Sequence, residues 1–180
     1  IPARLGHGGP YNGATEIFCV PASDSTITYI GAIVKHAGSA DADGIPHCTT
    51  ITATGQKAVG VVTSVVPTQA TDAPYRLANT LRYVNVCTNP DQLYEVQCNG
   101  TLTATMIGNT ADVSTPTTGV AATGRSLTEL LISSVTASGD GTEDFTIVRL
   151  VPRVDNALGA DAKVLVRLNN FEYIDANVGS

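Results

Sequence analysis

Between Phe145 and Asn169 the chain carries a pattern that a pleated strand accommodates and a helix does not. Ala162, Val164, Val166 and Leu168 fall on one parity, while Lys163, Leu165, Arg167 and Asn169 fall on the other. Successive side chains of a strand point to opposite faces, so one face of this segment belongs in a core and the other in water. A second strand-like run covers 145–151, and a ten-residue connection, 152–161, joins the two. That connection is long for a hairpin, and long ordered loops are where a scaffold often carries its function. Its residues Arg153, Asp155 and Asn156 are therefore candidate protein contacts. Arg149, Arg153 and Arg167 are set against Asp155 and Asp161 in or beside the loop. Two readings stand: surface ion pairs that tie the loop to its own hairpin, or arginine forks at an intersubunit surface.

The rest of the chain has the same character. Charged residues are only 14% of 180, well below the usual quarter. Glu and Lys, which coat exposed helices, are scarce, and Thr, Val and Ile suit a pleated surface. Short apolar runs punctuated by Gly, Pro, Asn and Asp predict strands at 15–21, 26–36 (with a bulge at Gly31), 48–53, 57–66 and 101–107. The run 57–66 has the apolar continuity of a strand buried on both faces. Asn89-Pro90-Asp91 predicts a hairpin turn between 81–87 and 93–97. Ser126 and Glu129 have capping-box spacing with Leu127, Leu130 and Leu131 behind them, which predicts a short helix over 127–133, in competition with a strand over 130–135. The expected fold class is all-β: a β-sandwich or jelly-roll-like barrel with at most one short helix. An extended N-terminal arm (1–14), a single β domain (15–174) and a small polar C-terminal tail (175–180) are the expected divisions. In the Gly- and Pro-rich arm, Arg4, Tyr11 and Asn12 are further candidate contacts. The start at Ile1 rather than Met points to trimming or to a sequence that begins late.

Charge and motifs narrow the function. The net charge is −6 and no run of Lys or Arg occurs, so direct nucleic-acid binding and attachment to an anionic membrane are not expected. No apolar stretch approaches the ~20 residues of a membrane span, and no signal peptide is visible. Cys19, Cys48, Cys87 and Cys98 show no C-x-x-C spacing, and free buried thiols are favoured over disulfides in a chain this long. Asp41-Ala42-Asp43-Gly44 resembles part of a calcium loop, but with Ser39 at the first position the twelfth is Thr50 rather than Glu. Asp140, Glu143 and Asp144 form a second acidic cluster that reads as a solvated turn. No nucleophile, zinc or phosphate-loop motif is present, so an enzyme is not expected, no catalytic residue is named, and no metal or cofactor is called for.

A longer-range pattern adds to this. It runs through Pro10-Tyr-Asn-Gly13, Val20-Pro-Ala-Ser-Asp-Ser25, Gly38-Ser-Ala-Asp-Ala-Asp-Gly-Ile-Pro46 and Ala58-Val-Gly-Val-Val62. Arg82-Tyr-Val-Asn-Val86, Gly108-Asn-Thr-Ala-Asp112, Arg149-Leu-Val-Pro-Arg-Val-Asp-Asn156 and Ala162-Lys-Val-Leu-Val-Arg-Leu-Asn169 complete it. In their order and spacing these pieces resemble the capsid decoration, or cement, proteins of tailed double-stranded DNA bacteriophages. The resemblance implies a jelly-roll-like β-sandwich that forms homotrimers on the outer surface of an icosahedral virion. Its implied partner is the major capsid protein, whose neighbouring subunits it would clamp. The alternative reading is an adhesive or glycan-binding β-sandwich on a virion surface, which the low aromatic content (5%) and the lack of Trp disfavour.

Overall fold

The computed structural model describes residues 2–5, 11–114, 116–137 and 142–173, with the backbone alone at 4 and 5. The fold is all-β, as expected. The longer strands are β1 (Pro2–Leu5), β2 (Glu16–Val20), β3 (Ile33–Ala40), β4 (Pro46–Thr50), β5 (Gly60–Val65), β6 (Arg82–Cys87) and β7 (Gln92–Gln97). Five two-residue strands follow: β8 (Thr110–Ala111), β9 (Val113–Ser114), β10 (Gly119–Val120), β11 (Arg125–Ser126) and β12 (Glu129–Leu130). β13 (Phe145–Leu150) and β14 (Lys163–Leu168) complete the set, and helical structure among the described residues is limited to two single 3-10 turns, Ala104–Met106 and Ile132–Ser134.

β2, β4, β3, β5 and β6 close in that order into a barrel. The β2–β4 contact is parallel, with Cys19 opposite His47, and the other pairs are antiparallel. Closure removes the free edges that an open sheet would present. The interior is filled by Phe18, Val20, Ala32, Val34, Cys48, Val59, Val62, Val84 and Val86. At Gly60 the β5 and β6 backbones approach so closely that a Cβ would lie 2.2 Å from the Cys87 carbonyl oxygen, so only glycine fits.

The second layer is an antiparallel sheet in the order β1-β7-β14-β13-β8. Its inner face, with Tyr94, Phe145, Ile147, Val164, Val166 and Leu168, packs on Ile33, Ile51, Ala58, Val61 and Cys87 from the outside of the barrel. Burial of each large aliphatic side chain here stabilises the fold by about 1.5–3 kcal/mol. The apolar continuity of 57–66 is explained by this arrangement: Val59 and Val62 point into the barrel and Val61 into the layer between barrel and sheet.

Several local expectations are corrected. The segments 81–87 and 93–97 do not form a hairpin. β6 uses both of its edges within the barrel, against β2 and β5, whereas β7 lies between β1 and β14. The turn at 88–91 therefore carries the chain from one layer to the other, and the Tyr94 hydroxyl donates to the Cys87 carbonyl across the crossing at 3.2 Å. The helix expected over 127–133 is absent. Ser126 Oγ accepts from the Thr128 N–H at 3.2 Å, and the two hydroxyls lie 2.6 Å apart. Of the three leucines only Leu130 is fully buried, while Leu127 is exposed, and one helical face would have buried both. The 101–107 segment sends Leu102 into the core but turns at Ala104–Met106 instead of extending. In 26–36 the strand proper begins only at Ile33, because Gly31 takes φ +91°. All four cysteines are free and buried.

Residues 2–5, expected within the arm, pair with β7 at the edge of the chain's own sheet. The remainder of the arm at 6–10 and the tail at 175–180 lie outside the described residues.

Buried polar groups fix the barrel loops and the junction between barrel and sheet. Arg76 is wholly buried, and its guanidinium donates to the carbonyls of Thr80 and Pro21 at 2.7 Å, Asp24 at 2.7 Å, and Thr26. Arg82 pairs with Asp72 at 2.8 Å. Burial opposes ionisation of Asp72, but hydrogen bonds from Gln69 and Thr68, together with Arg82, hold its carboxyl at about 2. Asp144 accepts from the Gly55 and Val113 N–H groups, each at 3.0 Å, and so joins the β4–β5 loop to the sheet layer. Burial dominates there, opposed by those two N–H groups and reinforced by the Asp112 and Glu143 carboxylates, and the Asp144 carboxyl rises to about 6.

Candidate protein-contact surface

The opposite face of the sheet points away from the barrel, and its side chains follow from the strand register. Arg149 lies across from Leu165, which lies across from Glu95. One row further on, Thr146 lies across from Arg167, Arg167 from Leu93, and Leu93 from Arg4. Residues directly opposite on neighbouring strands share a face, so these two rows form one surface. Leu93, Val151 and Leu165 cluster within it and are nearly covered. A register shift between Ile147 and Arg149 leaves Val148 exposed beside Arg149. Arg149 and Arg167 are exposed, and neither makes a hydrogen bond or ion pair with a described residue. Free guanidinium groups beside exposed apolar side chains suit recognition of carboxylates on another protein.

The 152–161 loop is ordered by its own polar groups. Asn156 acts as a spacer between the ends of β13 and β14. Its Nδ2 donates to the Val151 carbonyl at 2.9 Å and the Lys163 carbonyl at 2.8 Å, and its Oδ1 accepts from the Lys163 N–H at 2.9 Å. Arg153 reaches from the loop to Glu95 on β7 at 3.2 Å and lies 3.4 Å from Asp155. At the tip Val154 is fully exposed. The loop is thus tied to its own sheet and presents Val154 outward.

The candidate residues do not form one site. Arg153, Asp155 and Asn156 sit together at the loop. Arg4 lies on β1 at a register position in the same sheet, with its side chain outside the described part of the structure. Tyr11 packs against the core between the layers, and its hydroxyl donates to the Ala14 carbonyl at 3.3 Å. Asn12 Oδ1 accepts from the Ala14 N–H at 3.1 Å. Tyr11 and Asn12 therefore shape the entry into β2. Glu95, Val148 and Val154 were not singled out by sequence. A hairpin between 81–87 and 93–97 leaves no place for Glu95 beside β14, where the register sets it opposite Leu165.

Of the second acidic cluster, Asp140 lies outside the described residues, and Glu143 and Asp144 are buried rather than solvated; the turn at 41–44 is accounted for internally. Asp41 accepts from the Asp43 and Ile45 N–H groups and from the Tyr83 hydroxyl. Burial would raise its pKa, but these hydrogen bonds prevail and lower it. Among the described residues no group of His, Cys, Asp and Glu is arranged to hold a metal ion. No protein-family model, curated protein or solved structure matches the chain.

Proposed function

We propose that the chain is a structural virion protein that decorates the outer surface of an icosahedral capsid and clamps neighbouring major capsid subunits. The observation that carries this reading is the outer sheet face, where unpaired Arg149 and Arg167 stand beside exposed Val148 in a chain of net charge −6. A decorating protein needs a stiff patch that complements its partner, and strands hold such a patch more accurately than loops. Arginine forks pair with shell carboxylates, while the acidic remainder of the chain keeps to solvent. The sequence resemblance to phage cement proteins supports the same reading. Assembly as a homotrimer would let three modest faces act together by raising effective concentration. Binding only the assembled shell would then shift the equilibrium toward it and against rupture.

Co-sedimentation with shells stripped of this protein tests the reading. Arg149→Glu with Arg167→Glu abolishes binding, while Asp43→Lys, in the exposed turn after β3, leaves it intact. Undiminished binding by the double variant overturns the assignment of this face.

A further inference from the structure

The barrel and the sheet part at one end, and a cleft of ≈ 560 Å³ opens between them. Its lining includes Ile33 and Val61 from the barrel and Tyr94, Phe145 and Val166 from the sheet, with Arg125 and Thr128 on a third side. These come from four parts of the fold: the barrel wall, the inner sheet face, β11 and the segment after it. Volume and position both suit a ligand site, since such sites span roughly 300–1,000 Å³ and favour the junction between structural units.

The charge at this cleft is what selects a ligand. Two cations border it, the exposed Arg125 and the half-buried Lys163, and neither side chain makes a hydrogen bond or ion pair with a described residue. Glu95 also borders the cleft, but its carboxylate is engaged by Arg153. An unneutralised guanidinium beside low-dielectric apolar walls attracts an anion more strongly than one in open water. We propose that the cleft binds an amphipathic organic anion of the medium-chain carboxylate class, with its alkyl body against Tyr94, Phe145 and Val166 and its carboxylate at Arg125. This goes beyond the decoration reading, and neither depends on the other.

The test is a titration of the full chain, labelled with nitrogen-15, with sodium decanoate, and with sodium acetate as the probe lacking an apolar body. Decanoate is expected to move the amide signals of Gly31, Val61, Tyr94 and Thr128 saturably, and acetate is expected to leave them in place. Arg125→Gln weakens decanoate about three- to fivefold, the upper part of the range for an exposed ion pair. Thr128→Trp, at a half-buried position on the wall of the cleft, fills it and removes the saturable shifts, and the spectra themselves report that each variant is folded. The proposal is overturned by an absence of saturable shifts, by shifts that map away from the cleft, or by equal decanoate affinity in wild type and Arg125→Gln.

Discussion

Replacement of Arg76 by methionine removes a side chain that joins the β2–β3 connection to the β5–β6 connection. Its guanidinium holds carbonyls from Pro21, Asp24, Thr26 and Thr80, and the Asp24 carboxylate lies 3.9 Å from it. A hydrogen bond to a charged group contributes about 1.5–3 kcal/mol net, and a buried acceptor left without a donor costs about 1–3 kcal/mol. Neighbouring bonds are not additive, so four of them set a loss on the order of 5 kcal/mol. Domains of this size are stable by about 5–15 kcal/mol, which leaves Arg76→Met marginal or unfolded at 25 °C. Arg76→Lys separates charge from geometry. An ammonium concentrates three donors at one point and cannot span the same four carbonyls, so about 2–4 kcal/mol is lost even though the charge remains. Urea unfolding followed by far-ultraviolet circular dichroism measures both. If Arg76→Met unfolds within about 1 kcal/mol of wild type, the reasoning that this arginine organises the barrel loops is wrong.

Two of the shifted carboxyl groups move the pH dependence in opposite directions. Asp144, raised to about 6, retains in the fold a proton that the unfolded chain releases near 3.8, so its contribution is full below about 4 and is lost as pH rises through about 6. Asp72, lowered to about 2, contributes above about 4 and loses that contribution as pH falls through about 2. The melting temperature is therefore higher at pH 4.5 than at pH 7.5 and falls steeply below pH 3 (all about); Asp144→Asn flattens the first change and Asp72→Asn the second. Asn156→Ala removes three hydrogen bonds at the loop and lowers stability by about 2 kcal/mol, readable in the same urea assay. Burial pushes the Cys48 thiol up to about 12 and the Cys98 thiol up to about 11. A thiol reagent accordingly finds none of the four cysteines in the native protein and all four in urea; rapid native labelling contradicts their placement.

How much of this was legible in the sequence depended on whether a segment divides its two faces between core and water. The 162–169 run does so in the main, and its alternation identified β14 and the buried set Val164, Val166 and Leu168, although Leu165 on the other parity is covered by Leu93 and Val151. The crossing at 88–91 gave no such signal. Asn89, Pro90 and Asp91 suit a turn whether the chain returns beside itself or passes to another layer. The competition of β2 and β5 for the edges of β6 decides between them, and that is a property of the closed barrel. The same holds at 126–129, where a capping-box spacing serves a local turn because Leu130 is drawn into the core by itself. Arg76 lay in an aperiodic loop, and its carbonyl partners Pro21, Asp24 and Thr26 are brought to it only by tertiary folding. At the candidate surface the loop residues were legible, but the Arg153 partner Glu95 was not, since that pair depends on β7 lying next to β14.

We propose that this protein stabilises an assembled, DNA-filled shell from outside. The most direct test is the release of DNA from purified particles during a thermal ramp, read by a fluorescent DNA dye, with and without the protein. Particles that lack it are expected to release DNA at a lower temperature and to recover when the wild-type chain is added back. Release at the same temperature from bare and decorated particles contradicts the proposal.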